Sequence, residues 1–106
     1  MPIQQKPFER YRIDYPSGGG QVPSIDCFDG DSHVGKLIFH DIEGAPPANL
    51  VASNGVFYLR YRLNQFSDVI NILRYEKPLY IRLSTETLVG RIATHEFEPV
   101  GEEEDA

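Results

Sequence analysis

The sequence predicts an α+β fold: a mainly antiparallel β-sheet or small open barrel of about seven strands, with one amphipathic helix at about residues 65–76. Three observations lead to this class. Short runs of alternating apolar and polar residues predict strands. Two of the turns between them contain dipeptides that favour tight hairpins. A single stretch of the chain repeats its apolar residues at helical spacing.

Seven runs fit a strand, at Phe8–Tyr15, Val22–Phe28, Ser32–His40, Leu50–Ser53, Val56–Leu63, Leu79–Ser84 and Leu88–Phe97. Asp29-Gly30 separates the second run from the third, and Asn54-Gly55 separates the fourth from the fifth. Glycine accepts the positive φ that a two-residue hairpin turn needs. We therefore expect two hairpins, and a sheet in which most neighbouring strands are antiparallel.

The periodicity changes after residue 63. The residues at positions i, i+3, i+4 and i+7 of the next stretch are Phe66, Val69, Ile70 and Leu73. Asp68 in the first turn and Arg74 in the last suit the helix dipole, and Pro78 prevents the helix from continuing. We expect the apolar stripe to cover one face of the strands at 56–63 and 79–84. This strand–helix–strand stretch is also long enough for a right-handed crossover.

The chain length of 106 residues fits one domain. We assign residues 1–6 to a flexible N-terminal arm, 7–101 to a single globular domain and 102–106 to an acidic disordered tail. The single cysteine, Cys27, cannot form an internal disulfide, and no signal peptide or apolar run of membrane-spanning length is visible. These observations favour a cytoplasmic protein with no membrane association.

Charge is unevenly distributed along the chain. The net charge is −6. Residues 60–91 contain six basic and three acidic groups, whereas residues 92–106 contain six acidic groups and no basic one. The acidic total disfavours a general nucleic-acid binder, although it permits a local anion site. We hypothesise that the acidic tail folds back over the basic segment and competes there with an anionic ligand.

The sequence contains no complete catalytic, cofactor or metal motif. The nearest approach to a metal site is the polar group formed by Asp26, Asp29, Asp31, His33, His40 and Asp41. A calcium loop starting at Asp29 would need Gly and Glu where Val34 and His40 stand. His33 and His40 are an odd number of positions apart, which predicts opposite faces of a regular strand. We expect no metal and no cofactor.

Cys27 is the remaining candidate for a reactive group. Its neighbours in the sequence, Asp26 and Asp29, are acidic and would raise its pKa rather than lower it. A free cysteine is more often a small buried hydrophobic residue. We therefore expect a buried Cys27 and no catalytic residue in this chain.

One set of side chains is suited to binding. Tyr58, Arg60 and Arg62 share one face of a predicted strand, and Tyr80 and Arg82 share one face of another. Arg91 joins them if the last strand pairs alongside. We expect these residues to be presented together on the face that the helix leaves uncovered. Tyrosine and arginine are enriched in protein interfaces, and they also stack on bases and bind phosphates.

The best hypothesis from the sequence is a non-catalytic binding or assembly module that uses this Tyr/Arg face, as a homodimer or with another protein. The alternative is a binder of an anionic small ligand or single-stranded nucleic acid on the same face. A small enzyme with an unrecognised site comes third. The simplest explanation of the pattern is a solvated sheet face whose long side chains cover apolar surface.

Overall fold

A computed structural model describes residues 3–94 of the chain. Over these residues the elements are β1 (Ile3–Phe8), β2 (Arg10–Asp14), β3 (Ser24–Asp29), β4 (Ser32–His40), β5 (Leu50–Val51), β6 (Phe57–Arg62), a 3-10 turn (Leu63–Gln65), α1 (Phe66–Tyr75), β7 (Leu79–Ser84) and β8 (Gly90–Thr94).

The strands form two sheets. The three-stranded sheet has the order β1-β7-β8 and is antiparallel throughout. The five-stranded sheet has the order β2-β3-β4-β6-β5 and is antiparallel except between β4 and β6. Within residues 3–94 the sheets do not close into a barrel. The predicted α+β class and mainly antiparallel sheet are confirmed, with eight strands where the sequence predicts about seven.

The eighth strand is β1, which occupies residues 3–6 of the predicted flexible arm. That prediction is wrong for these residues, because β1 pairs along its length with β7. Phe8 is buried, and the Nζ of Lys6 donates a hydrogen bond to the carbonyl oxygen of Gly55. The chain passes from one sheet to the other at Glu9, whose N–H donates to the carbonyl of Phe28. Residues 1–2 lie outside the described part of the chain.

Both predicted hairpins are confirmed. β3 and β4 are antiparallel around Gly30, which has a φ of 62°, and β5 and β6 are antiparallel around Gly55, with a φ of 87°. The first hairpin contains a β-bulge, because Cys27 pairs with Gly35 whereas the next residue, Phe28, pairs with His33. The bulge adds one residue to β4 and reverses the alternation of faces on its two sides.

The predicted crossover between β6 and β7 is not formed. These strands lie in different sheets, so α1 connects one sheet to the other. The parallel pair is instead β4 with β6, in a register that runs from Gly35 opposite Phe57 to His40 opposite Arg62. This arrangement follows from the β5–β6 hairpin, which turns the chain so that β6 lies along β4 in the same direction.

The core lies between the inner faces of the two sheets. Its side chains with at most 1% exposure are Ile25, Cys27, Leu37, Phe39, Phe57, Leu59, Ile81 and Leu83. Two residues of the predicted helical stripe, Val69 and Leu73, are buried against this cluster. Burial of each large apolar side chain contributes about 2 kcal/mol. The predicted amphipathic helix is therefore confirmed, and it packs its stripe on the core.

Within residues 3–94, no helix combines the length and the apolar character needed to cross a membrane. The predicted acidic tail at 102–106, its proposed return over the basic segment, and the last residues of the predicted strand Leu88–Phe97 lie outside the described residues.

Candidate functional site

The six predicted site residues divide between two faces of the molecule. Tyr58, Arg60 and Arg62 lie on β6 in the five-stranded sheet, whereas Tyr80, Arg82 and Arg91 lie on β7 and β8 in the three-stranded sheet. Both sheets turn their inner faces to the same core, so their outer faces look away from each other. The expectation that all six residues are presented together is wrong, because it depended on β6 and β7 sharing a sheet.

The outer face of the five-stranded sheet carries the first group. The parallel register places Lys36 beside Tyr58, and His40 beside Arg62. We call the set Lys36, His40, Tyr58, Arg60 and Arg62 the Arg60 face. Lys36 and His40 were missed from the sequence because nothing local to β4 indicates its parallel pairing with β6. The sequence does indicate that Lys36 faces outward, because it is followed in the strand by the apolar Leu37, which faces the core.

The cations of the Arg60 face have no acidic partner among residues 3–94. Within the described residues, ion pairs connect Arg10 with Asp31 and connect Asp26 with both Arg12 and His33. The side chain of Arg62 donates to the backbone carbonyl of Glu43, which carries no formal charge. The Arg60 face is therefore a cluster of positive charge that residues 3–94 do not neutralise.

Two side-chain nitrogens of this face are buried, and residues 3–94 offer them no hydrogen-bond partner. In the part of the chain that the structure describes, Nε2 of His40 and Nε of Arg60 have no hydrogen-bond partner. Burial lowers the pKa of His40 from its ordinary value of 6.5, and the charge of Arg60 lowers it further. A buried polar group without a partner costs free energy, more so when it is charged.

Asn49, in the segment between β4 and β6, makes hydrogen bonds both to the Arg60 face and to the other sheet. Oδ1 of Asn49 accepts a hydrogen bond of 2.7 Å from the backbone N–H of Arg60. Nδ2 of the same side chain donates a bond of 2.9 Å to the carbonyl of Leu88, in the turn between β7 and β8. Asn49 therefore links the backbone of the Arg60 face to the other sheet, and this link holds the strand that carries the guanidinium.

A second polar cluster lies on the same outer face, toward β2. The buried carboxylate of Asp26 accepts a bond of 3.2 Å from Arg12 and lies 3.0 Å from Nε2 of His33. The ring of Phe28 lies against both, at 5.2 Å from the His33 ring and 5.9 Å from the Arg12 guanidinium. Both carboxylate oxygens of Asp26 are thus engaged inside the protein, so this cluster fixes β2, β3 and β4 together.

The β-bulge changes the geometry of the two histidines. Phe28 and Asp26 lie on the outer face, since Cys27 between them is in the core, and His33 pairs with Phe28. His40 also lies outward. The expectation of opposite faces is therefore wrong, because the bulge shifts the alternation. No group of three His, Cys, Asp or Glu side chains within residues 3–94 is arranged to hold a metal ion.

Cys27 is buried, as the sequence predicts. Burial, followed by the neighbouring charge of Asp26, raises the pKa of its thiol to about 12. Burial, followed by the electrostatic influence of Cys27, also raises the pKa of Tyr61 to about 12. Both groups remain protonated at neutral pH, which removes Cys27 from the candidates for a nucleophile.

The outer face of the three-stranded sheet carries the second group. Arg82 of β7 lies directly opposite Arg91 of β8, and Gln5 of β1 lies opposite Arg82 on its other side. The carboxamide oxygen of Gln5 accepts a hydrogen bond from Nε of Arg82. A groove of about 630 Å³ runs over these residues and over the exposed side chains of Ile3 and Val89.

A larger depression of about 740 Å³ lies where α1 ends and β7 begins. Its lining residues are Phe8, Glu9, Tyr11, Leu73, Arg74, Tyr75, Glu76, Lys77, Pro78 and Leu79. Two acidic and two basic side chains balance within this lining, and the guanidinium of Arg74 lies 5.6 Å from the centre of the Tyr75 ring. The depression therefore has apolar walls and no net charge to select an ionic ligand.

Comparison with known proteins adds no relative from which a role could be transferred. The sequence matches no family model, and neither the curated proteins nor the solved structures give a significant match.

Proposed function

We propose that this chain is a small non-catalytic binding module whose Arg60 face receives carboxylate groups of an acidic protein segment. The observation that carries the proposal is the unpartnered Arg60 guanidinium, buried at Nε in a face that lacks an acidic partner within the described residues. Guanidinium groups form strong, directional hydrogen bonds with carboxylates. Tyr58 adds an aromatic ring of the kind enriched in protein interfaces.

The partner that the chain itself supplies is a second copy. The six acidic groups in residues 92–106 complement the positive Arg60 face. Complementary charge accelerates association and fixes the register of an interface. A homodimer in which the acidic segment of each copy binds the Arg60 face of the other uses both features of the sequence, and we propose this form of assembly.

The test measures the mass of the particle by light scattering at several protein concentrations, at low and at high salt. We expect a dimer at low salt that dissociates as salt is added, since salt screens exposed charges. Arg60→Glu should abolish the dimer. Arg82→Glu, which places the same change on the opposite sheet, should leave it intact.

Two results would overturn this proposal. One is a wild-type monomer under all conditions that also fails to bind a synthetic Glu-rich peptide at low salt. The other is a dimer that Arg60→Glu does not affect. Far-ultraviolet circular dichroism of each variant shows that the fold is retained, so a lost interaction is not mistaken for unfolding.

An anionic small ligand or a single-stranded nucleic acid is the second candidate for the same face. The positive charges of Arg60 and Arg62, which residues 3–94 leave without an acidic partner, favour a compact anion, whereas the net charge of −6 opposes binding to a long polyanion. Titration with a labelled single-stranded oligonucleotide separates the two classes. Nucleic-acid binding requires an affinity that falls steeply with salt, with a slope set by the number of phosphates neutralised.

A further inference from the structure

The outer face of the three-stranded sheet holds a different kind of site. Antiparallel pairing places Arg82 and Arg91 directly opposite each other, and like charges at opposed positions destabilise a sheet. Within the described residues Arg91 forms no ion pair, and Arg82 donates its Nε to the uncharged carboxamide of Gln5. Among residues 3–94, no carboxylate lines the groove over these residues. Two guanidinium groups therefore share one groove in which residues 3–94 supply no counter-charge.

Across the three strands, the residues Gln5, Arg82 and Arg91 form one row of side chains on this face, and Ile3, Ser84 and Val89 form the next row. This second row has an apolar residue at each end. Ile3 lies opposite Ser84, and the N–H of Ser84 donates to the carbonyl of Val89 on the other side. Ile3 and Val89 are 56% and 47% exposed, which is high for such large aliphatic residues. Successive rows on one face of a strand are about 7 Å apart. A ligand that spans both rows thus needs a charged head and an apolar tail of roughly that length.

The hydroxyl groups in the groove have other roles. Oγ of Ser84 accepts a bond from the N–H of Thr87, and Oγ1 of Thr87 accepts one from the N–H of Val89. These bonds shape the β7–β8 turn. The carbonyl of Leu88, which has a φ of 61°, accepts a bond from Asn49 of the other sheet. The turn that holds one wall of the groove is therefore fixed by its own side chains and by Asn49.

We propose that this groove binds an alkyl carboxylate, with the carboxylate between Arg82 and Arg91 and the alkyl chain across Ile3 and Val89. Gln5 accepts the hydrogen bond from Nε of Arg82. The two terminal nitrogens of Arg82 are then left for a bidentate contact with the carboxylate. The groove volume of about 630 Å³ lies in the range of small-molecule sites. This site is separate from the Arg60 face and does not depend on it.

The test is a titration of the ¹⁵N-labelled full chain with octanoate, followed by amide chemical shifts. We expect the largest shift changes at residues 3–5, 82–84 and 87–91. Acetate lacks the tail and octanol lacks the charge, so both should bind more weakly. Arg91→Gln should weaken octanoate binding by at least about tenfold, the effect of losing a charge-assisted contact.

Matched variants make the result decisive. Arg74→Gln neutralises an exposed arginine beside the larger depression and should leave octanoate affinity unchanged. Val89→Ser should weaken binding by about threefold or more, because it removes apolar contact with the chain. Arg60→Glu should have no effect, which separates this proposal from that of the acidic partner. Shift changes that centre on α1, or equal affinities for Arg91→Gln and Arg74→Gln, would overturn the inference.

Discussion

The outer face of the five-stranded sheet carries positive charge toward both of its edges, and the two regions differ in how that charge is satisfied. Toward β2, the carboxylate of Asp26 joins Arg12 and His33. Toward β6, His40 and Arg60 have buried nitrogens without partners in residues 3–94. The first arrangement is complete within the protein and stabilises the sheet. The second leaves two polar atoms buried without partners among the described residues, which costs stability.

The largest expected effect tests the satisfied cluster. Asp26→Ala removes a buried carboxylate and both of its contacts, so we expect the free energy of unfolding to fall by about 2 kcal/mol. This figure allows for the exposure of Arg12, whose side chain can return to water. Urea denaturation measures the change. Asp14→Ala, at an exposed position of the neighbouring strand, should change stability by no more than about 0.5 kcal/mol. Equal effects of the two substitutions would contradict the assignment.

The next prediction concerns the unsatisfied region and has the opposite sign. Arg60→Met keeps the apolar part of the side chain and removes the buried unpaired nitrogen, so stability should stay constant or rise by about 1 kcal/mol. Arg12→Met is the matched control and should lower stability, because Asp26 loses its guanidinium partner. Urea midpoints of the two variants provide the comparison. If Arg60→Met were as destabilising as Arg12→Met, the contrast between the two regions would fail.

The smallest effect is a dependence of stability on pH. Burial and Arg60 lower the pKa of His40 in the folded protein from the ordinary value of 6.5. As the pH falls through that value, the unfolded chain binds a proton before the folded protein does, so the free energy of unfolding decreases. His40→Gln removes this contribution. We expect it to lose less stability than the wild type between about pH 7.5 and pH 5.5, where ordinary histidine titrates. Identical losses in the two proteins would exclude His40 as the source.

Local patterns in the sequence predict much of this fold. The turns at Gly30 and Gly55 and the stripe through Val69 and Leu73 depend on neighbours within a few positions, and the structure contains all of them. The N-terminal strand was missed for the complementary reason. The alternation in Ile3–Phe8 is weak, and its partner β7 begins only at Leu79. Pairings over such distances leave no local signal.

The candidate site shows the same limit more sharply. The sequence correctly places Tyr58, Arg60 and Arg62 on one side of β6, because side chains alternate along a strand. It does not reveal that β7 belongs to another sheet, so Tyr80 and Arg82 were assigned to the wrong neighbours. It also does not reveal that His33 and His40 share one face. That arrangement depends on the β-bulge in β4, and no residue in the strand marks the position of the bulge. The residue types were predictable, whereas their grouping depended on topology.

The position of β1 has a consequence for how the protein is made. Gln5 and Arg82 are 77 positions apart, yet they share a hydrogen bond in the three-stranded sheet. On the ribosome β1 emerges before the other strands of the described residues, whereas its sheet partners β7 and β8 emerge after all of them. Closing so long a loop is slow compared with forming the two hairpins. The five-stranded sheet has all its strands by Arg62, so among the described residues the groove lined by Arg82 and Arg91 would be the last region to take shape.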